Sequence, residues 1–183
     1  MKSMAVYCGH QFGNDPAFKD AAAAIGELMA KNKIKLVFGG GNVGLMGTVA
    51  GAVSANGGRV VGISTKHVAH KQEPLHAGSR VKVVRGVNER KQKMFELSDA
   101  FCILPGGIGT LNELTDIMTM QQIGESKKPI YFLNTAGYWN IFARVMMHMM
   151  RAGFIESYAD YNIKVFDTPE DLIKEYLKNF SNK

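Results

Sequence analysis

Short apolar runs alternate with longer stretches of helical periodicity along the whole chain. The apolar runs are rich in β-branched and aromatic residues, which favour strands. They predict seven strands, at residues 4–8, 34–38, 59–63, 81–84, 100–104, 129–133 and 163–166. Helices are predicted over residues 16–30, 44–55, 87–97, 110–123 and 137–151, and a last helix is predicted to follow Thr168.

Residues typical of helix ends support these boundaries. Pro16 stands where the first turn of a helix tolerates proline, and Asn56-Gly57-Gly58 is a C-terminal stop signal. Thr168 and Asp171 have the spacing of a capping box. Residues 64–79 show little periodicity, so this stretch is predicted to form a loop.

The alternation of apolar strands with helices predicts a parallel sheet that is covered on both faces. The expected fold class is therefore α/β, with a doubly wound, mostly parallel sheet. No internal repeat, low-complexity tract or linker interrupts the sequence, so residues 1–183 are expected to form a single domain. Ligands bind such sheets outside the carboxyl ends of the strands, and two glycine-rich loops fall there.

The more informative of these loops is Pro105-Gly106-Gly107-Ile108-Gly109-Thr110. It joins an apolar strand to a helix, and such a junction leaves free backbone N–H groups at the positive end of a helix dipole. Glu113 follows one turn inside the helix, so a carboxylate stands close to whatever the loop binds. This combination predicts chemistry on a phosphorylated small molecule.

Glu113 also has a purely structural interpretation. Thr110 and Glu113 have the spacing of a capping box, in which Thr110 caps the helix and Glu113 bonds back to the backbone. The glycines at the carboxyl end of a strand favour the functional interpretation.

The other loop, Gly39-Gly40-Gly41, follows the second predicted strand. With Gly44 it matches the dinucleotide-binding pattern G-x-G-x-x-G, but Ser64 and Thr65 stand where that pattern requires an acidic residue. No Walker motif is present, so hydrolysis of a nucleoside triphosphate is not expected. A tight turn is the alternative interpretation, but three consecutive glycines exceed what a turn needs, so contact with a ligand is predicted.

Three other features carry weaker signals. Arg90 and Lys91 lie on a predicted helix whose start also follows a strand end. The spacing of His67, His70 and His76 matches no helical ligand pair and no cysteine lies nearby, so no metal is expected. The methionine-rich stretch at residues 146–150 favours a packing face or a subunit interface over a cofactor site.

The composition is that of an ordinary globular protein, with 46% hydrophobic and 21% charged residues. The formal net charge of +6 comes from scattered Lys and Arg residues, which favours a small anionic ligand over a nucleic acid.

No apolar run reaches the length of a membrane span, and the N-terminus lacks a signal-peptide pattern, so we expect a cytoplasmic protein and no membrane partner. Cys8 and Cys102 lie in apolar strands and are expected to be reduced, buried thiols.

Several segments match one known family. They are residues 38–47 (FGGGNVGLMG), 89–91 (ERK), 98–100 (SDA) and 105–113 (PGGIGTLNE), with shorter matches at residues 6–9, 137–138 and 153–155. Together they resemble the Lonely Guy family of cytokinin-activating phosphoribohydrolases, whose members are often labelled possible lysine decarboxylases. The resemblance covers nearly the whole chain, and its specific part is Pro-Gly-Gly-x-Gly-Thr-x-x-Glu with an upstream Arg-Lys.

The resemblance implies a Rossmann-like nucleotide-binding fold, usually dimeric. It also implies cleavage of the N-glycosidic bond of a nucleoside 5′-monophosphate, which releases the free base and ribose 5-phosphate. The catalytic arginine and glutamate of the family fall on Arg90 and Glu113. Glu113 would stabilise an oxocarbenium-like ribosyl centre and help to deprotonate water, while Arg90 would orient Glu113 or contact the substrate.

The rest of the expected binding set follows from the same resemblance. The backbone of the loop around Gly106, Gly107 and Gly109, together with Thr110 and Lys91, is expected to bind the substrate and its 5′-phosphate. Gly39, Gly40 and Gly41 are expected to line the ribose or phosphate side. This scheme requires no metal and no organic cofactor.

The chain departs from the family pattern at two places. His10 and Gln11 stand where small serines are usual, and Val87 and Asn88 stand where Met-His is usual. Both places are expected near the pocket and bear on which base is accepted.

The alternative function is a non-catalytic nucleotide-binding or carrier module of the same fold. Decarboxylation is not expected, because no residue is marked as the Schiff-base lysine of a pyridoxal phosphate enzyme.

Overall fold

A computed structural model describes residues 2–67 and 80–181. Its strands are β1 (Ser3–Tyr7), β2 (Lys35–Phe38), β3 (Val60–Thr65), β4 (Arg80–Val84), β5 (Ala100–Ile103), β6 (Ile130–Leu133) and β7 (Ile163–Phe166). Its helices are α1 (Pro16–Lys31), α2 (Gly44–Ala55), α3 (Val87–Glu96), α4 (Ile108–Gln122), α5 (Asn140–Arg151) and α6 (Pro169–Ser181). Short 3₁₀ turns occur at Thr135–Gly137 and Tyr158–Asp160.

The seven strands form one sheet in the order β4-β3-β2-β1-β5-β6-β7. Every strand pair in that order is parallel. The expected α/β class and doubly wound, Rossmann-like arrangement are therefore confirmed. The strand order reverses between β1 and β5, and the crevice beyond the carboxyl ends of these two strands is where ligands bind in such folds.

Both faces of the sheet are covered, because successive side chains of a strand point to opposite faces. Met4, Val6 and Leu36 pack on one face, in a cluster that includes residues of α1, α2 and α6. Ala5 and Tyr7 pack on the other face, with residues of α3, α4 and α5. The central strands are apolar on both faces for this reason, as the sequence pattern predicts.

Helix ends follow the predicted signals at α1. Asp15 precedes the helix in an extended conformation, its carboxylate accepts a hydrogen bond of 2.9 Å from the Ala17 N–H, and Pro16 is the first helical residue. The loop predicted at residues 64–79 is not seen in the described part of that stretch, since Ser64 and Thr65 continue β3 and Lys66 and His67 are helical. His70, His76 and most of that stretch lie outside the described residues.

The helix predicted from residue 137 divides into two parts. Thr135–Gly137 forms a 3₁₀ turn, and α5 proper begins at Asn140. Ala136 and Gly137 have φ angles of 53° and 70°, which no α-helix can include. Helical periodicity alone does not reveal such a break.

Within residues 2–67 and 80–181, none of the helices combines the length and the apolar composition that crossing a membrane requires.

Candidate active site

A cavity of about 530 Å³ lies at the carboxyl ends of β1 and β5, where the strand order reverses. Its walls come from the loop after β1, the loop after β5, and the first turns of α2 and α4. Arg90 and Glu113 are its strongly charged lining residues among those that the structure describes. The other lining residues are Cys8, Gly9, His10, Gln11, Phe12, Gly13, Phe18, Leu45, Met46, Pro105, Gly106, Gly107, Ile108, Gly109, Thr110 and Tyr138.

Backbone hydrogen bonds tie the walls of this cavity together. The Gly9 N–H donates to the Pro105 carbonyl at 3.0 Å, which links the loops after β1 and β5. The Met46 N–H donates to the Gly9 carbonyl at 3.2 Å, which links α2 to the same point. Gly44 lies against the His10 backbone with a left-handed φ of 61°, so a side chain there would collide with that backbone.

The loop after β5 presents its backbone to the cavity at the start of α4. Gly107 is the N-cap residue, and no side chain caps the helix. A Cβ atom added at Gly107 or Gly109 would meet nothing within 4 Å, so both positions face open space. The first N–H groups of a helix have no intrahelical partner. This loop therefore offers free donors at the positive end of a helix dipole, as the sequence predicts.

The capping-box interpretation of Thr110 and Glu113 is wrong. α4 begins two residues before Thr110, at Ile108, so Thr110 lies within the first turn and does not precede it. The Thr110 side chain is 3% exposed and packs against Gly106, which has room for no side chain of its own there. Glu113 is therefore not the partner of Thr110 in a capping box.

Glu113 instead pairs with Arg90. The Nη1 atom of Arg90 donates to Oε1 of Glu113 at 2.6 Å, and the two side chains are 13% and 11% exposed. The pair is almost buried, but both residues border the cavity. A charge-assisted bond of this length in a partly buried place fixes both side chains.

Residues of β3 and of the loop after β2 hold the Arg90 side chain in place. Its Nε atom donates to the carbonyl of Ile63, in β3, at 2.9 Å. A Cβ atom at Gly39 would collide with the Arg90 guanidinium, so the glycine makes room for the cation. The sequence predicts neither contact, because both depend on the packing of β2 and β3 against α3.

Burial and neighbouring charges shift the pKa of Glu113 in opposite directions. Burial raises the pKa of the Glu113 carboxyl by disfavouring its charged form. The positive charge of Arg90, the Arg90 hydrogen bond and the charge of Lys91 lower the pKa, but burial outweighs them, so the net shift is upward. A carboxylate with a raised pKa is a stronger base than an ordinary one once it is ionised.

The triple glycine lies behind the cavity wall. Gly39, Gly40 and Gly41 are buried and are absent from the residues that line the cavity. Gly40 has a φ of 82° and packs against Ser64, while the Gly41 N–H points to the sulfur of Met46 at 3.3 Å. In this structure they let Arg90 and Met46 approach, and their contact with a ligand stays a prediction.

Lys91 also lies outside the main cavity. Its Nζ atom donates to Oδ1 of Asn112 at 3.1 Å and pairs with Oδ2 of Asp116 at 2.5 Å. Lys91 and Asn88 line a second, smaller cavity of about 210 Å³, which Glu113 also borders. Glu113 therefore stands between the two cavities, and Lys91 affects it through charge.

Three aromatic residues of the main cavity were missed by the sequence reasoning as site residues: Phe12, Phe18 and Tyr138. Phe18 and Tyr138 meet edge to face, with ring centroids 5.5 Å apart. Tyr138 had a detectable signal, since it follows the carboxyl end of β6 just as the two glycine loops follow β2 and β5. His10 and Gln11, predicted near the pocket, do line it.

Neither a metal cluster nor a reactive thiol marks the described part of the chain. No group of three or more His, Cys, Asp or Glu side chains within it could hold a metal ion. Cys8 and Cys102 are both buried and unbridged, and burial raises the pKa of each thiol well above its ordinary value. Such thiols are poor nucleophiles, as expected for structural cysteines.

A family model described as possible lysine decarboxylase matches residues 46–176. Cytokinin riboside 5′-monophosphate phosphoribohydrolase LOG1 of Arabidopsis thaliana is 36% identical over 174 residues, which are 95% of this chain and 82% of that protein. The enzyme LOG of Oryza sativa subsp. japonica is 35% identical over 182 residues, covering 98% of this chain and 75% of its own. The chain belongs to this Lonely Guy family.

Solved structures of the same fold extend the likeness at lower identity. The molybdenum cofactor binding protein from Rippkaea orientalis superposes with a TM-score of 0.72 at 20% identity, over 98% of both chains. The Moco carrier protein from Chlamydomonas reinhardtii also has a TM-score of 0.72, at 16% identity, over 100% of this chain and 99% of its own. At such identities the likeness shows the fold alone. The family membership rests on the phosphoribohydrolases.

Proposed function

We propose that this protein hydrolyses the N-glycosidic bond of a nucleoside 5′-monophosphate and releases the free base and ribose 5-phosphate. One observation carries the proposal: the largely buried Arg90–Glu113 pair borders a cavity that the uncapped start of α4 also lines. A carboxylate and an anion site thus share one cavity. The phosphoribohydrolase relatives support the same reaction.

We propose that the 5′-phosphate of the substrate binds at the start of α4. Free backbone N–H groups around Gly107 and Gly109, together with the Thr110 side chain, surround the positive end of the helix dipole. Glu113 lies one turn further along the same helix. A substrate anchored there by its 5′-phosphate would carry its ribose toward the carboxylate, and binding energy from the phosphate would then serve the reaction at C1′.

Glu113 has two tasks at the ribose. As the bond between C1′ and the base nitrogen breaks, positive charge develops on the ribosyl ring, and the ionised carboxylate stabilises it. Glu113 also accepts a proton from the attacking water, whose oxygen forms the new bond to C1′. The departing base takes a proton from solvent and Glu113 returns its own to solvent, so that one water is consumed overall. The raised pKa of Glu113 suits the second task, because a stronger base draws the proton more readily.

Arg90 supports the carboxylate and does not exchange protons. An arginine guanidinium is not a proton donor in enzyme chemistry, so the part of Arg90 is to bind and orient. The hydrogen bonds to Ile63 and Glu113 fix its position and, through it, the direction of the carboxylate. We assign Glu113 and Arg90 as the catalytic pair.

The first test compares AMP with adenosine as substrates. Because the phosphate supplies binding energy at the start of α4, we expect release of adenine from AMP and little release from adenosine. The measurement is free base by chromatography, with initial rates over a range of concentrations. Equal kcat/KM values for the two compounds would overturn the phosphate assignment.

The same assay distinguishes the alternatives. A carrier or binding module of this fold would bind AMP without releasing adenine. A lysine decarboxylase would require a Schiff-base lysine in the cavity, but no lysine is among its described lining residues, and Lys91 is engaged by Asn112 and Asp116. Adenine release therefore supports hydrolysis against both.

We also propose that the protein is a homodimer in the cytoplasm. α5 exposes Ile141 and Val145, and Phe154, just beyond the helix, is 82% exposed. An apolar patch of this kind is typical of a surface that another protein covers, and a second copy agrees with the family's usual state. The reduced thiols Cys8 and Cys102 fit a reducing compartment.

Light scattering tests the dimer. We expect a mass of twice 20.1 kDa at micromolar concentration, and a Phe154→Ser variant is expected to shift the mass toward one chain. Val83→Ser is the control, because Val83 is also exposed but lies on β4, at the far edge of the sheet. A wild-type protein that is monomeric under these conditions would contradict the proposal.

A further inference from the structure

The turn after β6 is strained and firmly held. Ala136 has a φ of 53°, a left-handed conformation that residues with a side chain rarely adopt. The Asn134 side chain, at the start of the turn, bonds to two residues at its far end: its Oδ1 accepts from the Trp139 N–H at 2.8 Å, and its Nδ2 donates to Oδ1 of Asn140 at 3.0 Å. Strain that the surroundings maintain in this way often accompanies a functional constraint.

This turn places Tyr138 over the loop after β5. The Tyr138 hydroxyl donates a hydrogen bond of 2.6 Å to the carbonyl oxygen of Gly106. Its ring meets Phe18 edge to face at 5.5 Å and Trp139 at 5.0 Å, so the side chain is supported from two sides. Tyr138 also lines the main cavity, although it is 32 residues from Gly106 in sequence.

Gly106 is confined on its remaining sides. A Cβ atom there would collide with the Thr110 side chain and would lie 2.9 Å from the Gly9 nitrogen. The peptide that joins Gly106 to Gly107 is planar and trans, so its carbonyl and its N–H point in opposite directions. The bond from Tyr138 to the Gly106 carbonyl therefore also fixes the direction of the Gly107 N–H, one of the free donors at the start of α4.

We propose that Tyr138 is a positioning residue that orients the Gly106–Gly107 peptide for the phosphate of the substrate. This inference rests on the proposed function, in which that phosphate binds at the start of α4. Tyr138 acts through the loop and not on the reacting atoms. Its loss should therefore weaken the binding of phosphorylated compounds and leave the chemical step nearly intact.

The test is a Tyr138→Phe variant, which keeps both ring contacts and removes only the hydroxyl. We expect the KM for AMP to rise about fivefold to tenfold, the effect of one hydrogen bond, while kcat changes by less than about twofold. Titration calorimetry with ribose 5-phosphate should show the same loss of affinity without any turnover. Tyr131→Phe is the matched control, because its hydroxyl bonds Asn179 and borders a different cavity.

The outcomes separate this inference from the proposed function. A wild-type protein that releases no adenine from AMP would reject the hydrolase proposal, while the ribose 5-phosphate titration would still test Tyr138. Unchanged KM and ribose 5-phosphate affinity in Tyr138→Phe would overturn the positioning role. A fall in kcat at constant KM, or an equal effect of Tyr131→Phe, would overturn it as well.

Discussion

A Glu113→Gln variant is expected to lose at least about a hundredfold in turnover of AMP, the usual scale for a positioned acid–base group. Glutamine has nearly the same shape and can still accept a hydrogen bond from Arg90 through its amide oxygen. It carries no negative charge, so it neither stabilises the ribosyl cation nor deprotonates water. The measurement is kcat by adenine release, alongside the melting temperature.

A matched variant separates this loss from the general effect of removing a carboxylate. Glu96 also bonds a cation on a helix, with Oε2 at 2.5 Å from Lys93, but this pair lies on the exposed surface of α3. Glu96→Gln is expected to keep wild-type turnover. Normal turnover in Glu113→Gln, with an unchanged melting temperature, would return Glu113 to a structural role and refute the mechanism.

The fold was predictable because its signals are local. Each strand of the sheet is a short apolar run, and the order of strands and helices already determines that the sheet is parallel. The loops after β2 and β5 could also be placed at one edge of the sheet, since the carboxyl ends of parallel strands meet there. The boundaries of α2 and β7 agree with the prediction to the residue.

The pairing of the site residues depends on contacts that no local signal encodes. The family resemblance implies that Arg90 orients Glu113 or contacts the substrate, but no local signal gives the 2.6 Å bond between these residues, which lie 23 positions apart on two different helices. The support of Arg90 by Ile63 and Gly39 involves two further strands. The periodicity of helices and strands describes one element at a time, so it cannot predict contacts between elements.

The capping-box alternative for Thr110 is wrong and Lys91 lies outside the main cavity, although its part in substrate binding stays a prediction. Thr110 has the spacing of a cap, but Gly107 already takes the position before the helix and α4 starts at Ile108. Lys91 stands beside Arg90 in sequence, yet successive residues on a helix point in different directions. It therefore faces Asp116, away from the main cavity.

Replacement of Arg90 by alanine is expected to remove most turnover and to alter the pH dependence of what remains. The Arg90 charge and hydrogen bond both lower the pKa of Glu113, against the upward effect of burial. Without Arg90 the Glu113 pKa rises further, so the carboxylate is protonated at higher pH. The apparent pKa on the acid side of the kcat/KM profile should lie above the ordinary carboxyl value of 4.5 in the wild type. It should be higher still in the variant.

The thermal stability of Arg90→Ala tests the same pairing without an activity assay. An ionised Glu113 left without its partner is costly, and breaking a buried pair in this way destabilises a protein by about 3 kcal/mol. Because the Glu113 pKa is raised on folding, its protonated form is favoured at acid pH, and stability is lost as the pH rises from the unfolded pKa through the folded one. The melting temperature of Arg90→Ala should therefore fall furthest below wild type near neutral pH and approach it on acidification.

Lys93→Ala is the control for this experiment, since Lys93 lies one turn further along α3 and pairs with Glu96 on the exposed surface. It removes a cation of the same helix without touching Glu113, so the acid limb of the kcat/KM profile should not move. The melting temperature should also not fall increasingly below wild type toward neutral pH, because Lys93 lowers the pKa of the exposed Glu96 and not that of Glu113. A wild-type acid limb in Arg90→Ala would mean that Arg90 does not control the ionisation of Glu113. The pair would then hold α3 to α4 and have no part in preparing the carboxylate for the reaction.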